Sequence, residues 1–274
     1  MTDKSGIGFI YNVFDGAELL ESSIKSIRNV VDEVVVVFQK QSYFGNVIKD
    51  YNIEDVIDYL QKEGLIDKAI LHDFDNKANT VRESKNMERK KYNVGLDYLK
   101  NERKIEYFRP CAIDEFFIED ELKQAIAHTK ENKISRAFCR IKTYSDTNLI
   151  DKNMTDVMCA ALLYKNAGED WSFGKVPWKR SSPRKIKIDP VISYGNCNRW
   201  GWKDHIFPAE KICMHHHRLT RLKLSDKMAN STIRNRKRLR MQIEKIESIR
   251  NKANPCENIF NIDIDKFKNQ FINK

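Results

Sequence analysis

Residues 7–14, Ile-Gly-Phe-Ile-Tyr-Asn-Val-Phe, closed by Asp15-Gly16, decide how this chain folds. The run is apolar on both faces, as a strand inside a sheet requires, and Asp15-Gly16 ends it. From Ala17 to Val30, Leu19, Leu20, Ile24 and Ile27 recur at helical spacing. Val31-Asp32-Glu33 then leads into Val34 to Phe38, a β-branched run suited to the interior of a parallel sheet. Strand, helix and strand in this order form a β-α-β unit with a right-handed crossover.

The pattern continues outward. Residues 53–63 read as a helix, Ala69 to His72 as a short strand, and Asp73-Phe74-Asp75-Asn76 as an acidic loop. A long polar helix runs from about Thr80 to Lys100. Ile105 to Cys111 is a strand that leads straight into Ala112-Ile113-Asp114-Glu115-Phe116-Phe117. Strands alternating with helices predict an α/β domain with a mostly parallel sheet. The second half differs. Ser135 to Tyr144 alternates as a strand, and residues 171–202, with all four tryptophans and three prolines, read as loops and short antiparallel strands. Ile212-Cys213-Met214 is a last strand, ending in His215-His216-His217. A long helix is expected from about Ser225 to Asn251, and the apolar residues from Ile259 to Phe271 can dock back. The organisation expected is one domain with a first half at 1–117 and a second half at 118–217, and a basic helical extension at 218–274.

Composition limits the function. With 41% hydrophobic and 32% charged residues the chain is an ordinary globular protein. No apolar run approaches the roughly 18–20 residues that span a bilayer. The N-terminus lacks a signal-peptide core, so a cytoplasmic location is expected. Six cysteines without Cys-x-x-Cys spacing speak against a zinc knuckle or a redox motif. Of the net charge of +10, the stretch from Arg218 to Lys252 carries +9, from 12 Lys/Arg and 3 Asp/Glu. Arg234, Arg236, Lys237, Arg238 and Arg240 form its densest cluster. Such a segment fits a polyanionic partner, or else is a solvated helix face.

Three groups of residues carry chemistry. Asp114 and Glu115 stand at the carboxyl end of a strand, where open α/β sheets bind ligands. Two carboxylates there can hold Mg²⁺ or Mn²⁺, although acidic residues also suit a helix N-terminus. His215-His216-His217 can add one imidazole to such a site, because neighbouring side chains on a strand point opposite ways. The first β-α turn, Tyr11 to Gly16, lacks the glycine spacing of dinucleotide folds and of phosphate loops. An NAD enzyme and a P-loop kinase are therefore disfavoured, while a single mononucleotide can be read by Asn12, the Tyr11 backbone and Asp15.

Together these segments resemble the family 2-like glycosyltransferases of the GT-A fold, including small bacterial and phage members. The opening Tyr-Asn-Val-Phe-Asp-Gly-x-Glu-Leu-Leu and the later Val-Asp-Glu-Val-Val-Val-Val look like their first β-α-β unit. Lys91-Tyr92-Asn93-Val94-Gly95 is similar to their Lys-Arg-Asn-x-Gly segment. Ile113-Asp114-Glu115-Phe116 resembles the second half of their Asp-x-Asp-Glu-Phe motif, with Ala112 in place of the first Asp. His215-His216, Arg221 and Lys227-Met228-x-Asn230-Ser231 look like the ending His-His…Arg…Lys-Leu-x-Asn-Ser of one subgroup. The resemblance implies a nucleotide-sugar donor such as a UDP-sugar, bound by Tyr11, Asn12, Asp15 and Gln39, with Lys91, Arg218 and Arg221 near its diphosphate. It also implies a divalent metal, Mn²⁺ or Mg²⁺, on Asp114 and one of His215 or His216.

An acceptor hydroxyl needs a general base in an inverting reaction, and the candidates are Asp204 and Glu115. Trp200 and Trp202 can stack on a sugar or a base, or pack a loop. Two acceptors suit the basic segment: a hydroxymethylated base in DNA, flipped into the sugar site, and a surface-glycan precursor at an anionic membrane face. A reading of another class is a nucleic-acid-binding protein with an inactive α/β domain, which Ala112 keeps open.

Overall fold

The computed structural model describes residues 6–151, 159–166, 192–193, 203–217, 219–230 and 253–273. Strand β1 (Ile7–Val13) pairs in parallel with β2 (Glu33–Phe38) on one side and with β4 (Tyr107–Cys111) on the other. Strand β3 (Lys68–Leu71) extends the parallel set beyond β2. The expected α/β class and β-α-β opening are therefore what the chain adopts. Val34 and Val36 face one layer and Val35 and Val37 the other, and all four are fully buried. This explains a strand with no polar alternation.

One layer holds α1 (Leu20–Lys25), α2 (Ile53–Lys62) and α4 (Glu119–Glu131), through Leu20, Ile24, Val56, Leu60, Leu122 and Ile126. The other holds α3 (Val81–Asn101), through Tyr92, Leu96 and Leu99. Thr80 caps α3 by accepting from Glu83 N. Gly95 lets this helix approach the sheet closely, since a Cβ there would lie 2.5 Å from Ile10. The first helix is shorter than its apolar spacing predicts. A 3-10 turn at Ala17–Leu19 precedes it, and it stops at Lys25. Ser26 Oγ donates to Ser23 O, and Ser23 Oγ donates across to Glu115 O. Hydroxyls that bond main-chain carbonyls compete with helix continuation.

Past β4, a two-residue strand β5 (Glu115–Phe116) and then α4 lead to the long β6 (Arg136–Asp146). On one flank β6 pairs antiparallel with β7 (Leu149–Asp151) and β8 (Cys159–Lys165), and β8 joins it to β4. On the other flank lie β10 (Lys203–Ile206), itself paired with β9 (Ile192–Ser193), and β11 (Cys213–His216), both parallel to β6. Strand β11 also pairs with β5, so the sheet curls back over the end of β4. A short α5 (Leu224–Asn230) follows. The last elements are β12 (Ala253–Pro255), on β7, and α6 (Ile264–Phe271). The tail docks as expected: Phe267 meets Tyr51 edge-on at 5.2 Å and Phe271 meets Tyr59 at 5.7 Å. Cys111, Cys139 and Cys213 are buried. Among the described residues, no helix is long and apolar enough to cross a membrane. Of the long helix expected from about Ser225 to Asn251, the part to Asn230 is helical and the rest lies outside the described residues.

Candidate functional site

The carboxyl ends of β1, β2 and β4 open into one pocket of about 250 Å³. Asn12 and Asp15 come from the end of β1, and Gln39, Ser42 and Tyr43 from the end of β2. Glu88 and Tyr92 come from α3, and Ala112 to Asp114 from the turn after β4. His216 closes β11, and Arg221, Lys227 and Asn230 reach in from the following segment. This is the place where an open α/β sheet binds its ligands.

The pocket has two chemically distinct ends. At the β2 end Gln39 is only 1% exposed, and neither its amide nitrogen nor its amide oxygen has a hydrogen-bond partner. A buried amide without partners costs roughly 1–3 kcal/mol, a cost that a ligand with both a donor and an acceptor would remove. Asn12 Nδ2 donates to Tyr43 Oη at 2.9 Å beside it. The other end is ionic. Arg221 Nη2 and Lys227 Nζ both donate to Asp114 Oδ2, at 2.7 and 2.8 Å, and His216 Nε2 lies 3.4 Å from the same oxygen. Burial alone would raise the Asp114 carboxyl. Lys227, Arg221 and His216 outweigh burial and hold it well below the usual carboxylate range. Burial and Arg221 pull the Lys227 ammonium down to about 8 against the attraction of Asp114. Burial raises the carboxyls of Asp15 and Glu18, against the pull of Arg221.

The segment that brings these cations is tied to acidic groups along its length. Leu222 N donates to Glu18 Oε1 at 2.7 Å, Lys223 Nζ to Asp50 at 2.5 and 2.6 Å, and Asn230 Nδ2 to Asp15 at 3.4 Å. Gly16 makes room for it. With φ +78° it sits in the left-handed region, and a Cβ there would lie 3.0 Å from Arg221 Nε and 2.5 Å from Ile113 Cδ1.

Several sequence candidates meet here: Asn12, Asp15, Gln39, Asp114, His216 and Arg221 all line the pocket. Others do not. Asp204 is corrected as a base. It is buried on β10, where Arg136 Nε and Nη2 occupy both its oxygens, the first at 2.6 Å. Its partner Arg136 and the partner of His216, Thr143, are seven residues apart on β6, roughly 23 Å at strand rise. Glu115 is corrected as well. Its Oε2 accepts from Arg109 Nη2 at 2.7 Å and from Ala112 N at 3.3 Å, and it is not among the residues that line the pocket. His215 is corrected as a partner of Asp114. Strand alternation turns it to the other face, where its Nδ1 meets Tyr144 Oη at 2.7 Å. Tyr11 faces the core, its hydroxyl 3.1 Å from Ser23 Oγ. Lys91 is buried behind the pocket and donates to Val13 O at 2.7 Å, and burial lowers its ammonium well below the normal range. Arg218, Trp200, Trp202 and the cluster Arg234, Arg236, Lys237, Arg238 and Arg240 lie outside the described residues.

Sequence reasoning gave no site role to Glu88, Tyr43, Lys227 or Asn230. Lys227 and Asn230 stand three apart on α5, the spacing that puts two side chains on one face. Glu88 and Tyr92 are four apart on α3 and share a face likewise. Tyr43 follows β2 in a loop, with no periodic signal.

The expected divalent metal fits poorly. Among the described residues no group of three or more His, Cys, Asp or Glu is placed to hold one. Ala112 lines the pocket without a donor. Asp114, the carboxylate beside His216, already carries two cations on one oxygen. A divalent ion within about 4 Å of each cation would meet repulsion of roughly 8 kcal/mol apiece at an effective dielectric near 20.

Against known proteins, no family model matches the chain, and no curated protein does. Among solved structures, the crystal structure of S. aureus TarS aligns with a TM-score of 0.35 at 16% identity, over 50% of this chain and 22% of that one. TarS 1-349 in complex with UDP-GlcNAc aligns at 0.32 and 16% identity, over 50% and 35%. Its complex with UDP aligns at 0.32 and 16%, over 50% and 36%. The chain thus matches well under two thirds of the length of these proteins.

Proposed function

We propose that this chain is a glycosyltransferase of GT-A type, moving a sugar from a nucleoside-diphosphate donor to a hydroxyl acceptor. One observation carries the reading: a single pocket joins a buried, unpartnered Gln39 amide at one end to a cationic pair at the other. A nucleotide diphosphate has that polarity. Its base edge offers a donor and an acceptor to Gln39, and its phosphates carry the charge that guanidinium and ammonium groups bind. In the transfer, the bond from the anomeric carbon to the diphosphate oxygen breaks and both electrons go to that oxygen. The acceptor oxygen bonds to the carbon and gives up its proton, which ends on the departing diphosphate or in water. Cations at the phosphate end stabilise the leaving group in proportion to the charge that develops there.

For the acceptor we favour a hydroxymethylated base in DNA over a surface-glycan precursor, on the +9 charge between Arg218 and Lys252. A donor-and-acceptor screen by mass spectrometry, with UDP-sugars as donors and hydroxymethylated DNA and lipid-linked glycans as acceptors, tests both parts. Transfer of one hexose or pentose mass to the DNA is the expected result. Transfer to glycan alone moves the acceptor, and DNA binding without turnover of any donor favours a binding protein with an inactive domain.

A further inference from the structure

We infer that Arg221 and Lys227 bind the diphosphate of a nucleotide donor in place of a divalent metal, and that Asp114 holds the two cations until the diphosphate arrives. The inference rests on the glycosyltransferase reading and concerns how the phosphate end of that pocket works. Its first support is the shared oxygen. Two cations converge on Asp114 Oδ2 at 2.7 and 2.8 Å, a position that a diphosphate oxygen can take over without either side chain crossing the pocket. The second is Arg221 itself: its Nε is buried and has no hydrogen-bond partner, so its planar fork keeps a donor for a further oxygen. The third is Gly16. Its missing Cβ and left-handed backbone admit the Arg221 guanidinium at the point where β1 ends, the strand end that faces bound nucleotides in this architecture. The fourth is Ala112, which contributes no oxygen where a metal site would use one.

The neighbouring acids fit the same role. Asp15 and Glu18 flank Arg221, but each is engaged by the same segment, through Asn230 Nδ2 and Leu222 N. Asp114 is thus the carboxylate that the cations leave when phosphate binds. Its own charge then repels the diphosphate, which weakens binding and helps the product nucleotide depart.

Calorimetry with UDP, repeated with GDP, ADP, CDP and dTDP, tests this on the full chain, in EDTA and in Mn²⁺. UDP is expected to bind in EDTA within about threefold of its affinity in Mn²⁺. Lys227→Ala should weaken it at least about tenfold in both conditions, the loss of one charge-assisted contact. Asp114→Asn should tighten UDP binding in EDTA by about threefold or more, because the cations are released. A metal ligand would behave in the opposite way. Binding of UDP only with Mn²⁺, or weaker metal-free binding by Asp114→Asn, overturns the inference and leaves the glycosyltransferase reading standing. Should Asp114→Asn fail to fold, Lys227→Ala decides alone: unchanged affinity overturns the inference. Absence of binding by all five nucleotides in both conditions overturns the proposed function and the inference with it.

Discussion

Asp204 and Asp114 are both buried, both paired with arginine, and stand at opposite ends of the β6 surface, yet they do different work. Arg136 meets both oxygens of Asp204 with two nitrogens, and Asp204 does not line the pocket. Asp114 collects Arg221, Lys227 and His216 on one oxygen, beside an open pocket and an arginine with a spare donor. A saturated pair is a fastener; an oversubscribed oxygen beside a cavity is a place where partners can be exchanged. Burial and charge alone do not separate the two. The stoichiometry of donors to acceptors does.

The largest effect expected from breaking this contrast is at the fastener. Asp204→Ala removes the carboxylate that meets two nitrogens of the buried Arg136 and should cost about 3–5 kcal/mol in urea unfolding. Asp114→Asn should cost less, since the amide oxygen still accepts from a cation and both cations border the open pocket. Equal losses would erase the distinction. Acid should come next. Burial and His128 hold the His205 imidazole down at about 4 against an ordinary 6.5, and burial also lowers His215 and His217, to about 3 each. The unfolded chain takes up these protons first, so stability is full above pH 6.5 and falls as pH drops from 6.5 toward 4. The loss is on the order of 3 kcal/mol for His205, read from melting temperature against pH. A flat profile over that window would mean the imidazoles are hydrated. Gly16→Ala should leave the Asp204 end untouched and lower UDP affinity by about tenfold through Arg221, with about 1 kcal/mol of backbone cost. The smallest change is at the base end. Gln39→Leu should reduce preference among nucleotides by a few fold, to within about tenfold of one another, with no loss of stability because no native bond is broken. A stability loss there would show that Gln39 has a partner inside the protein.

The same contrast marks where the sequence was legible. The buried strands 7–13 and 33–38 announce themselves because both faces are covered, and strand ends then locate Asp114 and Gln39. Alternation along β11 foretells that one histidine of three can meet Asp114, and His216 is the one. The helix at 119–131 went unread, although Leu122, Ala125 and Ile126 carry its spacing. Strands β7 and β8 also went unread, because their pairing depends on β6. Asp204 was misread because its partner, 68 residues earlier, is set by the parallel register of β10 on β6. Lys227 was visible as part of a motif, but its meeting with Asp114 across 113 positions is a product of the fold.

That reach across the chain has a consequence for how the protein is made. Leu222 ties to Glu18 across 204 positions and Asn230 to Asp15 across 215. Contacts of such separation are the slowest to form. A chain emerging from the ribosome can assemble β1, β2 and β4 long before the residues that finish the pocket exist. The nascent protein therefore has no complete pocket until Asn230 is free of the exit tunnel, and the closed site appears as a late, single event in synthesis.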